Sequence, residues 1–86
     1  MPTRPDQNDP DRVVEWERRR HALGQRIREL REKRGMTQER LAITSSVTRN
    51  TLIEVEKGRR GLLYERLLDL ADALDVSVAR MMKGID

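Results

Sequence analysis

Thr48-Arg49-Asn50-Thr51, with Glu54 one turn further on, gathers five polar side chains at the start of one short segment. Arginine can form two parallel hydrogen bonds to guanine, asparagine can do the same with adenine, and glutamate can accept from the cytosine amino group. One well-formed pair of this kind discriminates between bases by about 1–3 kcal/mol. Arg49, Asn50 and Glu54 are therefore the candidate base readers. Thr48 and Thr51 carry hydroxyls suited to a phosphate, and Thr51 could equally meet a thymine methyl. Ile53 is expected to be exposed, either against a thymine methyl or against a neighbouring loop. Gln38, at the start of an upstream helix, can hold a phosphate together with the free N–H groups there. Arg59 and Arg60 follow Gly58 and suit phosphate as well, the alternative being a solvated loop. Contacts of this second kind would set affinity and its salt dependence rather than sequence choice.

The elements that must position these groups follow from spacing and punctuation. Residues 1–10 read as a mobile polar tail. Asp9 can cap a helix, Pro10 suits a first helical position and Asp11 favours the positive end of the dipole. Val13, Trp16, Leu23, Ile27 and Leu30 then follow helical spacing from about 11 to 34, with a bend or break open at 21–25 around Gly24. Gly35 is the expected left-handed stop. Thr37 caps a second helix over 38–44, with Leu41 and Ala42 inward. Val47 plugs a tight turn, and Thr48 opens a third helix over 49–57 with Leu52 and Val55 inward. Two short helices joined in this way over 37–57 make a helix-turn-helix, whose second helix enters the major groove at its N-terminal end. A fourth helix over 63–74 shows the apolar stripe Leu63, Leu67, Leu70, Ala71, Leu74, with Asp75 as its left-handed cap. Ser77 caps a last short helix. Apolar residues nowhere alternate as in a strand, so residues 11–86 are expected to form one all-α domain.

Eighty-six residues leave no room for a separate effector domain, and none is expected. There is no cysteine and one histidine, His21, read as solvated. Disulfides and thiolate metal sites are thereby excluded, and catalytic constellations cannot be assembled, so neither an enzyme nor a cofactor or metal is expected. No apolar run approaches a membrane span and no secretory signal is visible, which points to the cytoplasm. The net charge of +3 is unevenly spread: −2 over residues 1–11, +5 over 12–34, +2 over 35–60 and −2 over 61–86. Three of the 18 basic residues are lysine, leaving fifteen arginines. Arginine is the side chain that pairs bidentately with phosphate and guanine. Glu56 falls on the inner side of the third helix, where a half-buried carboxylate requires a partner. Arg31 is the candidate, in a structural pair locking the first helix to the third. Trp16, the only tryptophan, either covers a core edge or anchors a dimer contact.

Three stretches carry a resemblance to a known family. They are Leu23-Gly24-Gln25-Arg26-Ile27-Arg28-Glu29-Leu30-Arg31, Thr37-Gln38-Glu39-Arg40-Leu41-Ala42, and Val55-Glu56-Lys57-Gly58-Arg59-Arg60. With Val47-Thr48 and the run from Leu67 to Ser77, they make the chain resemble the Xre family of bacterial and phage helix-turn-helix regulators over residues 22–83. The resemblance implies a five-helix, lambda-repressor-like domain, here with an N-terminal extension of the first helix. It implies operator contacts by Gln38 and the third helix, and it implies the Arg31–Glu56 pair. It also implies a homodimer on palindromic double-stranded DNA, with contacts from the last helix at Met81, Met82 and Ile85 and from the preceding loop at Leu62 or Tyr64. The expected function is that of a small repressor or autoregulator, with restriction–modification controllers as one sub-class. The competing expectation is a protein-interaction module or partner-capping antitoxin on the same fold. Ser46 stands where glycine is usual in the turn, which predicts a strained or altered turn. Gly61-Leu62-Leu63 replaces the usual polar loop, which predicts exposed leucines.

Overall fold

The computed structural model describes residues 9–85. Most of the expected tail, residues 1–8, lies outside them. Five helices and no strand occur among the described residues: α1 Pro10–Lys33, α2 Gln38–Ser45, α3 Arg49–Glu56, α4 Tyr64–Leu74 and α5 Val78–Met82. Each helix start is chemically marked except that of α4. The Asp9 carboxylate accepts from the Asp11 N–H at 3.0 Å, with Pro10 already helical. The hydroxyls of Thr37, Thr48 and Ser77 accept from Arg40, Thr51 and Arg80 N–H groups at 3.0, 3.2 and 3.0 Å. These bonds satisfy donors that the first turn of a helix leaves open.

The ends are equally local. Gly35 and Gly58 take positive φ, 68° and 72°, and Asp75 takes φ 56°. In all three the N–H of the residue after the left-handed position bonds back across the last turn: Met36 to the Arg31 carbonyl, Arg59 to Glu54 and Val76 to Ala71. That is the six-to-one closure of a Schellman motif. Ser46 ends α2 at φ 62°, ψ 19°, the strained turn its position predicted. A left-handed non-glycine residue costs about 1–2 kcal/mol. The buried Ser45 hydroxyl offsets part of this, donating to the Ala42 carbonyl at 3.4 Å and accepting from the Val47 N–H at 3.2 Å.

The core is built from Ile27 and Leu30 of α1, Leu41 and Ala42 of α2, Val47, Leu52 and Val55 of α3, Leu70, Ala71 and Leu74 of α4, and Met81 of α5. α1 packs on α3, α2 on both α3 and α4, and α5 on α1 and α4. Two arginines, one within α1 and one at its C-cap, reach helix ends that are distant in sequence. Arg26 donates to the Arg80 and Lys83 carbonyls at 2.9 and 3.0 Å, covering the end of α5. Arg34 donates to the Leu74 carbonyl at 3.3 Å at the end of α4.

Three expectations need correction. α1 does not bend or break at Gly24; it is continuous from Pro10 to Lys33. The glycine is there for proximity, since a Cβ on it would lie 2.1 Å from the Val55 carbonyl oxygen. Leu63 is not part of the α4 stripe but 71% exposed. It occupies the N-cap with extended backbone, so the helical register begins one residue later. Leu62 and Leu67, the positions flanking that cap in a hydrophobic staple, pack on the core instead. Met81, expected at a dimer contact, is fully buried within its own chain and has no surface left to offer a partner.

Arg31 and Glu56 make the principal polar contact of the interior. Arg31 Nε and Nη2 donate to the two Glu56 oxygens at 2.8 and 3.0 Å, and the side chains are only 11% and 3% exposed. Arg31 Nη1 also donates to the Met36 carbonyl at 2.8 Å. Removing one member of such a pair leaves a buried charge uncompensated. Glu56→Ala is therefore expected to lower unfolding free energy by about 3 kcal/mol or more, read from urea denaturation; a loss below about 1 kcal/mol would contradict a buried clamp. Gly24→Ala should also destabilise, by about 1–3 kcal/mol, because α1 must move off α3 to admit the methyl. Helix propensity alone would give the opposite sign, so the direction of the change in melting temperature decides between the two.

Candidate nucleic-acid interface

α3 is eight residues long, and its two faces differ in kind. Leu52 and Val55 are buried; Arg49 and Asn50 are exposed on its first turn; Thr51, Ile53 and Glu54 are half-buried. Thr48 and Thr51 form a small reciprocal unit. The Thr48 hydroxyl accepts from the Thr51 N–H and donates to the Thr51 hydroxyl at 2.8 Å. This fixes the entry of the helix while leaving Arg49 and Asn50 free of any ion pair or side-chain hydrogen bond among the described residues. Long polar side chains held at a rigid helix start can reach base edges in the major groove. Ile53 is less exposed than expected, which favours packing within the protein over a thymine contact.

Gln38 lies at the first position of α2, but its side chain is drawn inward. Its Nε2 donates to Glu56 Oε1 at 3.2 Å, so the amide joins the Arg31–Glu56 clamp. What α2 still offers a phosphate is the backbone of its first turn, where Thr37 takes up only the Arg40 N–H. The sequence pointed to Gln38 as a binding group and did not reveal this second attachment. A carboxylate with one oxygen shared between Arg31 and Gln38 is a three-dimensional fact with no local signature.

Arg59 and Arg60 are exposed directly after the left-handed Gly58 and form no ion pair among the described residues. The loop they stand in runs beside the helix-turn-helix. A groove of about 770 Å³ lies between them, lined by Val47, Thr48 and Thr51 on one side and by Arg60, Leu62 and Arg66 on the other. Arg66 was not singled out in the sequence. Its Nη1 pairs with Asp69 at 2.8 Å, three residues on, which reads as an ordinary surface pair.

The residues expected at a dimer contact belong to three parts of the chain: α1, the start of α4 with the loop before it, and the C-terminal end. Trp16 is half-buried on α1, with the Arg12 guanidinium 4.9 Å above its ring centroid. Leu62 is half-buried and Tyr64 is 70% exposed at the start of α4. Met82 and Ile85 are half-buried near the C-terminal end. Among the described residues there is no cluster of potential metal ligands, and no helix is long and apolar enough to cross a membrane.

A family model described as a helix-turn-helix domain matches residues 22–82. No curated protein sequence is significantly similar. Among solved structures, the restriction-modification controller protein C.AhdI from Aeromonas hydrophila is 39% identical, with a TM-score of 0.71, over 72% of this chain and 94% of that one. The clp gene regulator ClgR from Corynebacterium glutamicum is 38% identical, with a TM-score of 0.72, over 74% of this chain and 68% of that one. ComR from S. thermophilus is 28% identical with a TM-score of 0.73, but only 23% of its length is covered. A match that takes in α2 and α3 together with the helices that hold them supports one assignment: the chain belongs to the helix-turn-helix domain family.

Proposed function

We propose that the protein is a small sequence-specific DNA-binding transcriptional regulator, with α3 lying in the major groove of its operator. The observation that carries this reading is the pairing of unengaged Arg49 and Asn50 with a helix clamped on its other face by Leu52, Val55 and Glu56. A reader must be held rigidly yet keep its polar groups uncommitted, since each group satisfied inside the protein is lost to the bases. Glu54 is the third base-contacting candidate. Thr48, Thr51, the first turn of α2 with Gln38, and Arg59 with Arg60 supply backbone contacts.

The regulator acts as a homodimer on a palindromic site whose halves lie about one helical turn apart, roughly 34 Å. Trp16, Leu62, Tyr64, Met82 and Ile85 remain the candidates for the dimer contact. It is a non-enzymatic cytoplasmic protein, a repressor or autoregulator. Restriction–modification control is one sub-class, supported by the likeness to C.AhdI across nearly the whole length of that protein. A second reading, a partner-capping module on the same fold, draws support from four exposed apolar side chains, Val14, Ile43, Leu63 and Tyr64.

Selection of bound sites from random duplex DNA separates the two readings: a palindrome with one-turn spacing is expected, and no enrichment would favour the capping module. On the selected site, Asn50→Ala should cost about 1–3 kcal/mol of binding while leaving affinity for random DNA nearly unchanged. Arg59→Ala with Arg60→Ala should weaken both and flatten the salt dependence. Equal losses on both DNAs for Asn50→Ala would remove it from the reading set. Trp16→Ala is expected to weaken dimerisation in sedimentation, and an unchanged dimer affinity would return Trp16 to a purely intramolecular role.

A further inference from the structure

Arg20 stands on the part of α1 that precedes the matched region, which begins at residue 22. Its neighbours Arg18 and Arg19 share the Glu15 carboxylate, at 3.1 Å to Arg18 Nε and 3.5 Å to Arg19. Arg20 lies on another face. Four residues before Gly24 and eleven before Arg31, it falls on the stripe of α1 that is turned toward α3. That stripe meets the end of α3 and the loop after it in order: Arg31 holds Glu56, Gly24 abuts the Val55 carbonyl, and the His21 ring lies against Gly58. The Arg20 Cδ passes 3.9 Å from where Gly61 would carry a side chain. Arg20 thus lies across the loop that bears Arg59 and Arg60.

Arg20 Nε is buried and has no hydrogen-bond partner among the described residues. A buried donor left without an acceptor costs about 1–3 kcal/mol, and more when it is charged. Among the described residues no carboxylate is bonded to it. Glu17, one turn earlier on α1, is exposed and forms no ion pair among the described residues. Residues 57–62 of the loop contain Lys57, Arg59 and Arg60 and no acidic side chain. Arg20 and the loop that carries Arg59 and Arg60 therefore meet at one edge of the protein, and none of the three arginines forms an ion pair among the described residues.

We infer that Arg20 completes a phosphate-binding edge with Arg59 and Arg60, so that the N-terminal extension of α1 lengthens the contact with the DNA backbone beyond the helix-turn-helix. The inference rests on the DNA-binding reading proposed above. Arg20 Nε is turned to the protein, but the two Nη groups are not among the buried unpaired atoms, and a pair of Nη donors suits a phosphodiester, whose two free oxygens can accept in parallel. The edge flanks the end of α3 opposite to Arg49 and Asn50, so it reads charge and not base identity.

Arg20→Met keeps the aliphatic stem across Gly61 and removes the charge, whereas Arg20→Lys keeps the charge without the fork. Both are compared with the unaltered protein on a mixed-sequence DNA duplex over a range of salt concentrations, with circular dichroism melting as the check on folding. In Arg20→Met the plot of log affinity against log salt should flatten by about 0.9, so the variant's deficit shrinks about threefold between 50 and 200 mM salt. Arg20→Lys should retain the original slope. Arg20→Gln gives the same readout should the Met variant fail to fold. An unchanged slope and affinity in the uncharged variant would overturn the inference while leaving DNA binding in place. Absence of duplex binding by the unaltered protein would overturn both. A variant that alters only self-association in sedimentation would assign the missing acceptor to a second copy of the chain, and so overturn the inference too.

Discussion

The Glu56 carboxylate is the joint on which the arrangement of the first three helices depends. It accepts from Arg31 of α1 through both oxygens and from Gln38 at the start of α2, while belonging itself to the last turn of α3. An eight-residue helix is not stable on its own in water, because nucleation costs more than so few hydrogen bonds return. α3 persists because its apolar face is buried and its last turn is pinned by this joint. The pinning also sets the rotation of α3 about its axis, and that rotation decides which side chains its first turn presents. Charge buried in this way adds little net stability compared with a well-packed apolar substitute. Its value here is directional, since a bidentate fork admits one relative placement of α1 and α3 and a dispersion contact admits many.

Much of this was legible in the sequence, and what was legible was local. Thr37, Thr48 and Ser77 announced helix starts because a cap needs only its own first turn. Gly35, Gly58 and Asp75 announced ends because a left-handed residue needs only its own backbone. The periodic residues Ile27, Leu30, Leu41, Leu52, Val55, Leu70 and Leu74 announced the core. Contacts between segments distant along the chain were not legible. Gly24 looked like a weak point in a helix and is a place where two helices nearly touch backbone to backbone. Met81 looked like a free apolar side chain because nothing nearby in sequence shows that α1 and α4 close over it. Leu63 fits the α4 stripe by spacing, and only its N-cap backbone takes it out of register.

The abundance of arginine also takes on a different meaning in three dimensions. By type the fifteen arginines suit phosphate and guanine, yet several of these side chains are bonded to other groups of the same molecule. Arg26 and Arg34 cover the carbonyls at the ends of α5 and α4, Arg31 is sealed in the clamp, and Arg18 and Arg28 are bonded to Glu15 and Glu32. The Arg28 hydrogen bond holds the Glu32 carboxyl below its ordinary pKa, with both side chains exposed. A guanidinium can serve a remote carbonyl because it keeps its charge at any pH the fold meets and carries five donors. In a chain with little apolar mass, arginine works as a fastener as well as a ligand for DNA.

The unbroken passage of α1 through Gly24 has a mechanical consequence. Twenty-four residues of helix form a rod about 36 Å long. At Gly24 the rod rests directly on the backbone of α3, with no flexible side chain between them to absorb movement. Its first three turns project past that contact and act as the long arm of a lever, with Gly24 near the fulcrum and the Arg31–Glu56 joint on the short arm. The Trp16 end of α1 is thus joined to α3 through a contact of backbone on backbone, with Arg49 and Asn50 at the far end of that second helix.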